Sequence, residues 1–155
     1  ACMGLVGLVD RPFLARIATV GLVSVFPREI VATEQPNPSL AEFDNYFLKL
    51  PDAVKYQYYL YQRTLEEKLS YKDYLRLKRC FYRESGWRQY NKDGDVLHGI
   101  VHYPDIGIAQ INSSTWQEAA DLIGYDLNTP EGNLNFAIWL YKEQDIKPWV
   151  ACQKL

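Results

Sequence analysis

At 155 residues, with 48% apolar and 23% charged side chains, the chain has the length and composition of one packed domain, which excludes a disordered polymer. Seventeen Lys and Arg against nineteen Asp and Glu leave a net charge of −2, which excludes the basic footprint expected of a nucleic-acid binder. Twelve Tyr, four Trp and six Phe supply flat surfaces that serve a core and a carbohydrate platform equally well.

The first 32 residues read as an export signal. Arg11 and Arg16 precede the apolar run IATVGLVSVF at 17–26, and cleavage is expected after Ala32. Arg16 and Pro27 bound the run too tightly for a membrane span, which takes about 20 apolar residues. A short membrane anchor, with transient membrane association through residues 12–26, is one alternative; a buried N-terminal helix, which Asp10 favours, is another. TEQPNPS at 33–39 is polar, carries two prolines and reads as a linker, so the folded, monomeric domain is expected over 40–155.

Cysteine counting points the same way. Cys2, Cys80 and Cys152 make an odd set, and removal of 1–32 leaves a pair. A Cys80–Cys152 bridge stabilises by about 4 kcal/mol in the chain-entropy account and suits an exported protein, in the periplasm, cell wall or extracellular space. The alternative is two buried thiols in a reducing compartment.

Residues 54–68, VKYQYYLYQRTLEEK, repeat apolar or aromatic side chains at 54, 58, 61 and 65, the period of an amphipathic helix. Ser70 followed by Asp73 forms a capping-box variant that opens a second helix, YKDYLRLKRCFYRE, and Glu84 falls at its C-terminal end. From 88 to 112 the helical period stops, and an Asp93-Gly94 turn between β-prone runs predicts a small hairpin or three-stranded sheet. Ser114 with Gln117 is expected to open TWQEAADLI, which Gly124 ends, and Thr129 with Pro130 to open EGNLNFAIWLYKEQ. The predicted fold class is mostly α within α+β, with a small antiparallel sheet set between helices.

Four stretches carry the functional reading: ESGW at 84–87, DIGIAQINSSTW at 105–116, NLNFAIWLY at 133–141 and PWVAC at 148–152. Their combination resembles the lysozyme superfamily, and more narrowly the small lytic transglycosylases (SLT-type) and lysozyme-like enzymes of bacterial cell walls, over roughly residues 70 to 152. The resemblance implies a lysozyme-like fold, no cofactor, and cleavage of the peptidoglycan glycan strand between N-acetylmuramic acid and N-acetylglucosamine. It makes Glu84 the general acid and places Gln110 and Asn112 along the sugar cleft. A carboxyl that donates a proton near neutral pH needs apolar walls, the arrangement for which lysozyme is the type case, and Trp87 and Trp149 are the candidates to supply them.

Asp105 has two readings of equal standing. It is a second carboxylate facing Glu84, as nucleophile or charge stabiliser in a hydrolytic lysozyme, or a turn residue after Pro104 that satisfies backbone amides. With Glu84 alone the product would be a 1,6-anhydro sugar, and with water as acceptor a reducing end. The alanine–tyrosine–asparagine–alanine–glycine motif of many transglycosylases does not follow Tyr141, which stays only a candidate cleft residue.

No metal site is expected. His98 and His102 have a spacing that would converge on a helix, but Gly99 and the β-prone context argue against one, and NKDGD at 91–95 lacks the later ligands of a calcium loop and reads as a turn. Two readings from other classes stay open: a wall-binding module of the same fold without turnover, and an intracellular helical interaction domain.

Overall fold

The computed structural model describes residues 40–154. The expected signal, anchor and linker at 1–39 lie outside the described residues. The chain divides into two compact units, Ala1–Tyr46 and Phe47–Leu155, and α1 (Leu40–Leu48) is the first described element. The unit from Phe47 onward carries α2 (Asp52–Glu66), α3 (Tyr71–Ser85), β1 (Asp105–Ile106), β2 (Ile111–Asn112), α4 (Ser113–Leu122), α5 (Pro130–Gln144) and a 3-10 turn at Val150–Cys152. It is therefore mostly helical with a two-stranded antiparallel sheet. Among the described residues no helix is long and apolar enough to cross a membrane.

Helix α2 ends two residues earlier than its period suggests, because Lys68 adopts φ +58° and turns the chain. Of the expected stripe at 54, 58, 61 and 65, Tyr61 packs against the core, but the rest of the inward face differs. Val54 and Leu65 are exposed, while Leu60 and Thr64 are buried and Ala53 and Tyr56 pack beside them. The helix carries tyrosines on several faces, so apolar spacing fits more than one rotation, and the fit of Leu60 into the core selects among them.

Ser70 caps α3. Its Oγ accepts from Asp73 N at 3.2 Å and donates to Asp73 Oδ2 at 2.6 Å, while Ser70 N donates to the same Oδ2 at 3.0 Å. Tyr74, Leu77, Cys80, Phe81 and Ser85 are buried along one face, and Gly86 closes the helix in the left-handed conformation, its N–H on Tyr82 O at 2.9 Å. Ser70→Ala removes the cap and should cost about 1 kcal/mol. A denaturant midpoint unchanged from the parent would show that the box contributes nothing.

The sheet is smaller than a three-stranded one. β1 and β2 pair in the register Asp105↔Asn112 and Ile106↔Ile111, and Tyr90↔Val96 and His98↔Ile106 are single bridges. The ladder ends where the chain turns from β1 into β2 through residues 107–110, with Gln110 N donating to Gly107 O at 3.3 Å, and side chains hold this segment. Asn133 Nδ2 donates to Ile106 O, Gln89 Oε1 accepts from Ile108 N, and Asn133 Oδ1 accepts from Ala109 N. The Asp93-Gly94 turn forms as expected, with Asn91 Oδ1 accepting from the N–H groups of Asp93 and Asp95.

α4 starts two residues earlier than expected and Asn112, not Ser114, caps it, accepting from Thr115 N at 3.0 Å. Asn112 can end β2 and cap α4 at once because no residue separates the two elements. α5 opens on Thr129 and Pro130 as its sequence predicts. It is buried on most sides, through Leu134, Phe136, Ala137, Ile138, Leu140 and Tyr141, which makes it the central helix of the core. α2 packs on both α3 and α5, and α3 meets the 3-10 turn. A disulfide joins Cys80 of α3 to Cys152 of that turn, Cα to Cα 5.4 Å.

Candidate functional site

Glu84 occupies the last turn of α3, where Gly86 ends the helix and leaves the carboxyl at the edge of a cleft of about 710 Å³. Asp105, Gln110, Asn112 and Trp149 line the same cleft, so five of the residues singled out from sequence come together there. Arg88, Trp116 and the histidines His98 and His102 also line it. Glu84 is half-buried. Desolvation first, and the negative charge of Asp105 second, push its carboxyl above the ordinary carboxylate range, against a smaller opposite pull from Arg83. A group so placed keeps its proton to a higher pH than a solvated glutamate, the property a general acid needs.

Asp105 is held in place by its register partner. Asn112 Nδ2 donates to Asp105 Oδ1 at 2.9 Å, and His102 Nδ1 lies 3.3 Å from the same oxygen. Asn112 therefore does three things: it pairs with β1, caps α4 and orients a carboxylate. Gln110 sits at φ +48° and folds its amide back onto Gly107 O at 2.9 Å. His98 stacks on Tyr103 with ring centroids 4.0 Å apart and its Nδ1 2.7 Å from Tyr103 O. The two histidines are thus engaged with separate partners. The Glu84 carboxyl and the sulfurs of Cys80 and Cys152 lie within 4.8 Å of one another, but sulfurs bonded to each other offer no thiolate to a metal.

Two of the expected cleft residues are elsewhere. Trp87 is 2% exposed, sits at φ +65° and packs edge-on against Phe81, so it belongs to the core beneath the helix end. Tyr141 is buried and donates to Asp73 Oδ1 at 2.8 Å. Burial, and then that hydrogen bond, push its phenol up to about 12. Its task is to tie α5 to the capping box of α3. Trp149 does form cleft wall, but it also packs on Phe81, and its Nε1 donates to Ala109 O at 2.7 Å.

Beneath the cleft a set of polar side chains grips the segment 106–109. Gln89 and Asn133, both fully buried, bind Ile108 N and Ala109 N at 3.0 and 2.9 Å, and both donate to Leu127 O. Ser85 Oγ donates to Ile108 O at 2.7 Å. Thus Glu84's immediate neighbour in sequence anchors the strand-turn segment that carries Asp105, Gln110 and Asn112. None of Gln89, Asn133 or Ser85 follows from an apolar period. The available signal was a lone amide, Asn133, set in the buried stretch between Gly132 and Leu134. The other missed features are Ile100 and Val101, almost wholly exposed on the cleft rim, and Arg88 and Trp116.

Comparison of the chain with protein-family models, with curated proteins and with solved structures returns no match.

Proposed function

We propose that this protein is a muramidase of lysozyme-like architecture that cleaves the glycan strand of peptidoglycan between N-acetylmuramic acid and N-acetylglucosamine, as a lytic transglycosylase. The observation that carries the reading is Glu84: a half-buried carboxyl with raised proton affinity at a helix end, opening into a cleft of about 710 Å³. The ESGW, DIGIAQIN and PWVAC stretches support it, because they supply the acid, the strand opposite and the wall carrying Trp149. In this reading Glu84 protonates the glycosidic oxygen as the bond breaks. The resulting carboxylate then accepts the proton of the muramic acid 6-hydroxyl, which closes onto the anomeric carbon and leaves a 1,6-anhydro end. The disulfide suits an oxidising compartment, which agrees with an exported enzyme. Mass spectrometry of digested peptidoglycan tests the proposal: anhydro-ended muropeptides are the expected products, and intact glycan after prolonged digestion would refute it.

A hydrolytic alternative is favoured by one observation. Asp105 faces the same cleft, its charge is felt by Glu84, and Asn112 holds it by a hydrogen bond, as a group stabilising an oxocarbenium-like centre would be held. Asp105→Asn separates the two. In the one-glutamate enzyme this variant keeps at least about a tenth of parental activity, a barrier change of no more than about 1.4 kcal/mol. Removing the negative charge also lowers the proton affinity of Glu84, so the alkaline limb of the pH profile should move to lower pH. A thousandfold loss together with reducing-end products would identify a hydrolase.

A further inference from the structure

Cys152 Sγ lies 3.4 Å from Glu84 Oε1. Sulfurs bonded to each other carry no proton, so this contact cannot be a hydrogen bond donated to the carboxyl. Cys80 and Cys152 are both fully buried, one helical turn before Glu84 and at the end of the turn that supplies Trp149, Val150 and Ala151 to the cleft. That turn is anchored twice over: by the disulfide to α3, and by Trp149 Nε1 to Ala109 O. The inner side of the carboxyl is thereby closed by a group that excludes water and offers it no donor.

We propose that the Cys80–Cys152 disulfide is a positioning group for Glu84 through its sulfurs, which seal the inner face of the carboxyl against water while offering it no donor. The role rests on the reading of Glu84 as the acid, but the contact is a property of the folded chain. A disulfide sulfur is at best a weak acceptor, so it tolerates a protonated carboxyl and gives nothing to an ionised one. The charged groups that bear on Glu84 are Asp105 on β1, which opposes ionisation, and Arg83 on its own helix, which favours it; Arg88 and His102 line the same cleft. The bridge adds to the first of these effects without carrying a charge.

The experiment follows the Glu84 side-chain carbon by NMR through a pH titration in the full chain, without substrate. Three forms are compared with the parent: Cys80→Ser/Cys152→Ser, which puts hydroxyl donors beside the carboxyl; Cys80→Ala/Cys152→Val, which restores apolar volume without a donor; and the parent reduced with a phosphine. The serine pair should lower the titration midpoint by about one pH unit or more, a tenfold change in proton affinity, and the reduced parent should shift in the same direction. The Ala/Val pair should stay close to the parent. A serine pair that folds, by its tryptophan near-UV signal, yet titrates with the parent overturns the proposal. Unfolding of all three forms overturns it too, because the bridge would then be a staple of the fold alone. If the midpoints move as expected while the parent cuts no glycan, the positioning effect stands and the muramidase reading falls.

Discussion

Glu84→Gln should reduce wall lysis by at least about a thousandfold, equal to about 4 kcal/mol in the barrier, while the protein stays folded. The amide fills the same space at the end of α3 but has no proton of the kind a leaving glycosidic oxygen requires. Its effect on stability has a definite sign. Burial raises the folded-state affinity of Glu84 for its proton above that of the unfolded chain. The folded state therefore binds more protons between the two values, and the stability that the protonated form contributes is present below the unfolded value and lost as pH rises through the folded one. Glutamine has nothing to ionise. The variant should thus match the parent in acid and equal or exceed it in stability at pH values above the folded-state value of Glu84, where the parent holds a half-buried carboxylate. Turbidity loss of purified walls, read beside thermal melts at two pH values, checks both parts. Lysis at the parental rate would remove Glu84 from the chemistry, and a collapsed melt at all pH values would make it a structural residue.

The second large effect is expected far from any ionisable group. Gly107 sits at φ +72°, and a Cβ there would meet Asn133 Nδ2 at 2.5 Å and Gln89 Oε1 at 2.6 Å. Gly107→Ala therefore adds backbone strain of about 1–2 kcal/mol. It also pushes apart two buried amides that hold Ile108 N and Ala109 N, with a further cost of about 1–3 kcal/mol for each partner left unsatisfied. A total of about 3 kcal/mol lowers the melting temperature of a domain of this size by about 10 °C or more. Activity should fall as well, because Asp105, Gln110 and Asn112 stand on either side of the displaced segment. A loss below about 1 kcal/mol by denaturant titration would show that the amides move aside easily, and the idea of a rigid floor would then be wrong.

What could be read from the sequence was local. Ser70 with Asp73, and Thr129 with Pro130, announce helix starts through side chains that act within one turn, and the folded chain uses them so. The gathering of Glu84, Asp105, Gln110, Asn112 and Trp149 in one cleft was legible only through the combined stretches, since composition and period say nothing about which loops meet. The failures have the opposite character. Trp87 immediately follows Gly86, and the left-handed turn at the helix end swings its ring beneath the helix rather than into the cleft. The apolar period of α2 fits more than one face because tyrosines lie on several of its sides, so it marks Tyr61 correctly but not Leu60 and Thr64, which are buried in place of Val54 and Leu65. Asn112 escaped notice as a cap because one side chain serves a strand, a helix and a carboxylate at once. The amides of Gln89 and Asn133 act on backbone groups 19 and 24 residues away, and such a partnership leaves no period to detect.

Those separations bear on the order in which the molecule assembles. The segment 106–109 acquires its partners from α5 and from the indole of Trp149, 40 residues beyond Ala109, so it cannot be fixed by any early local hairpin. Contacts that close such long loops form after the helices have come together, and they slow folding relative to a purely local helical hairpin. The raised proton affinity of Glu84, which comes from burial and from Asp105, therefore depends on the docking of this segment. Hydrogen exchange should report this directly: the amides of Ile108 and Ala109 should open only with the whole domain, while those at the exposed tip around Ile100 exchange freely.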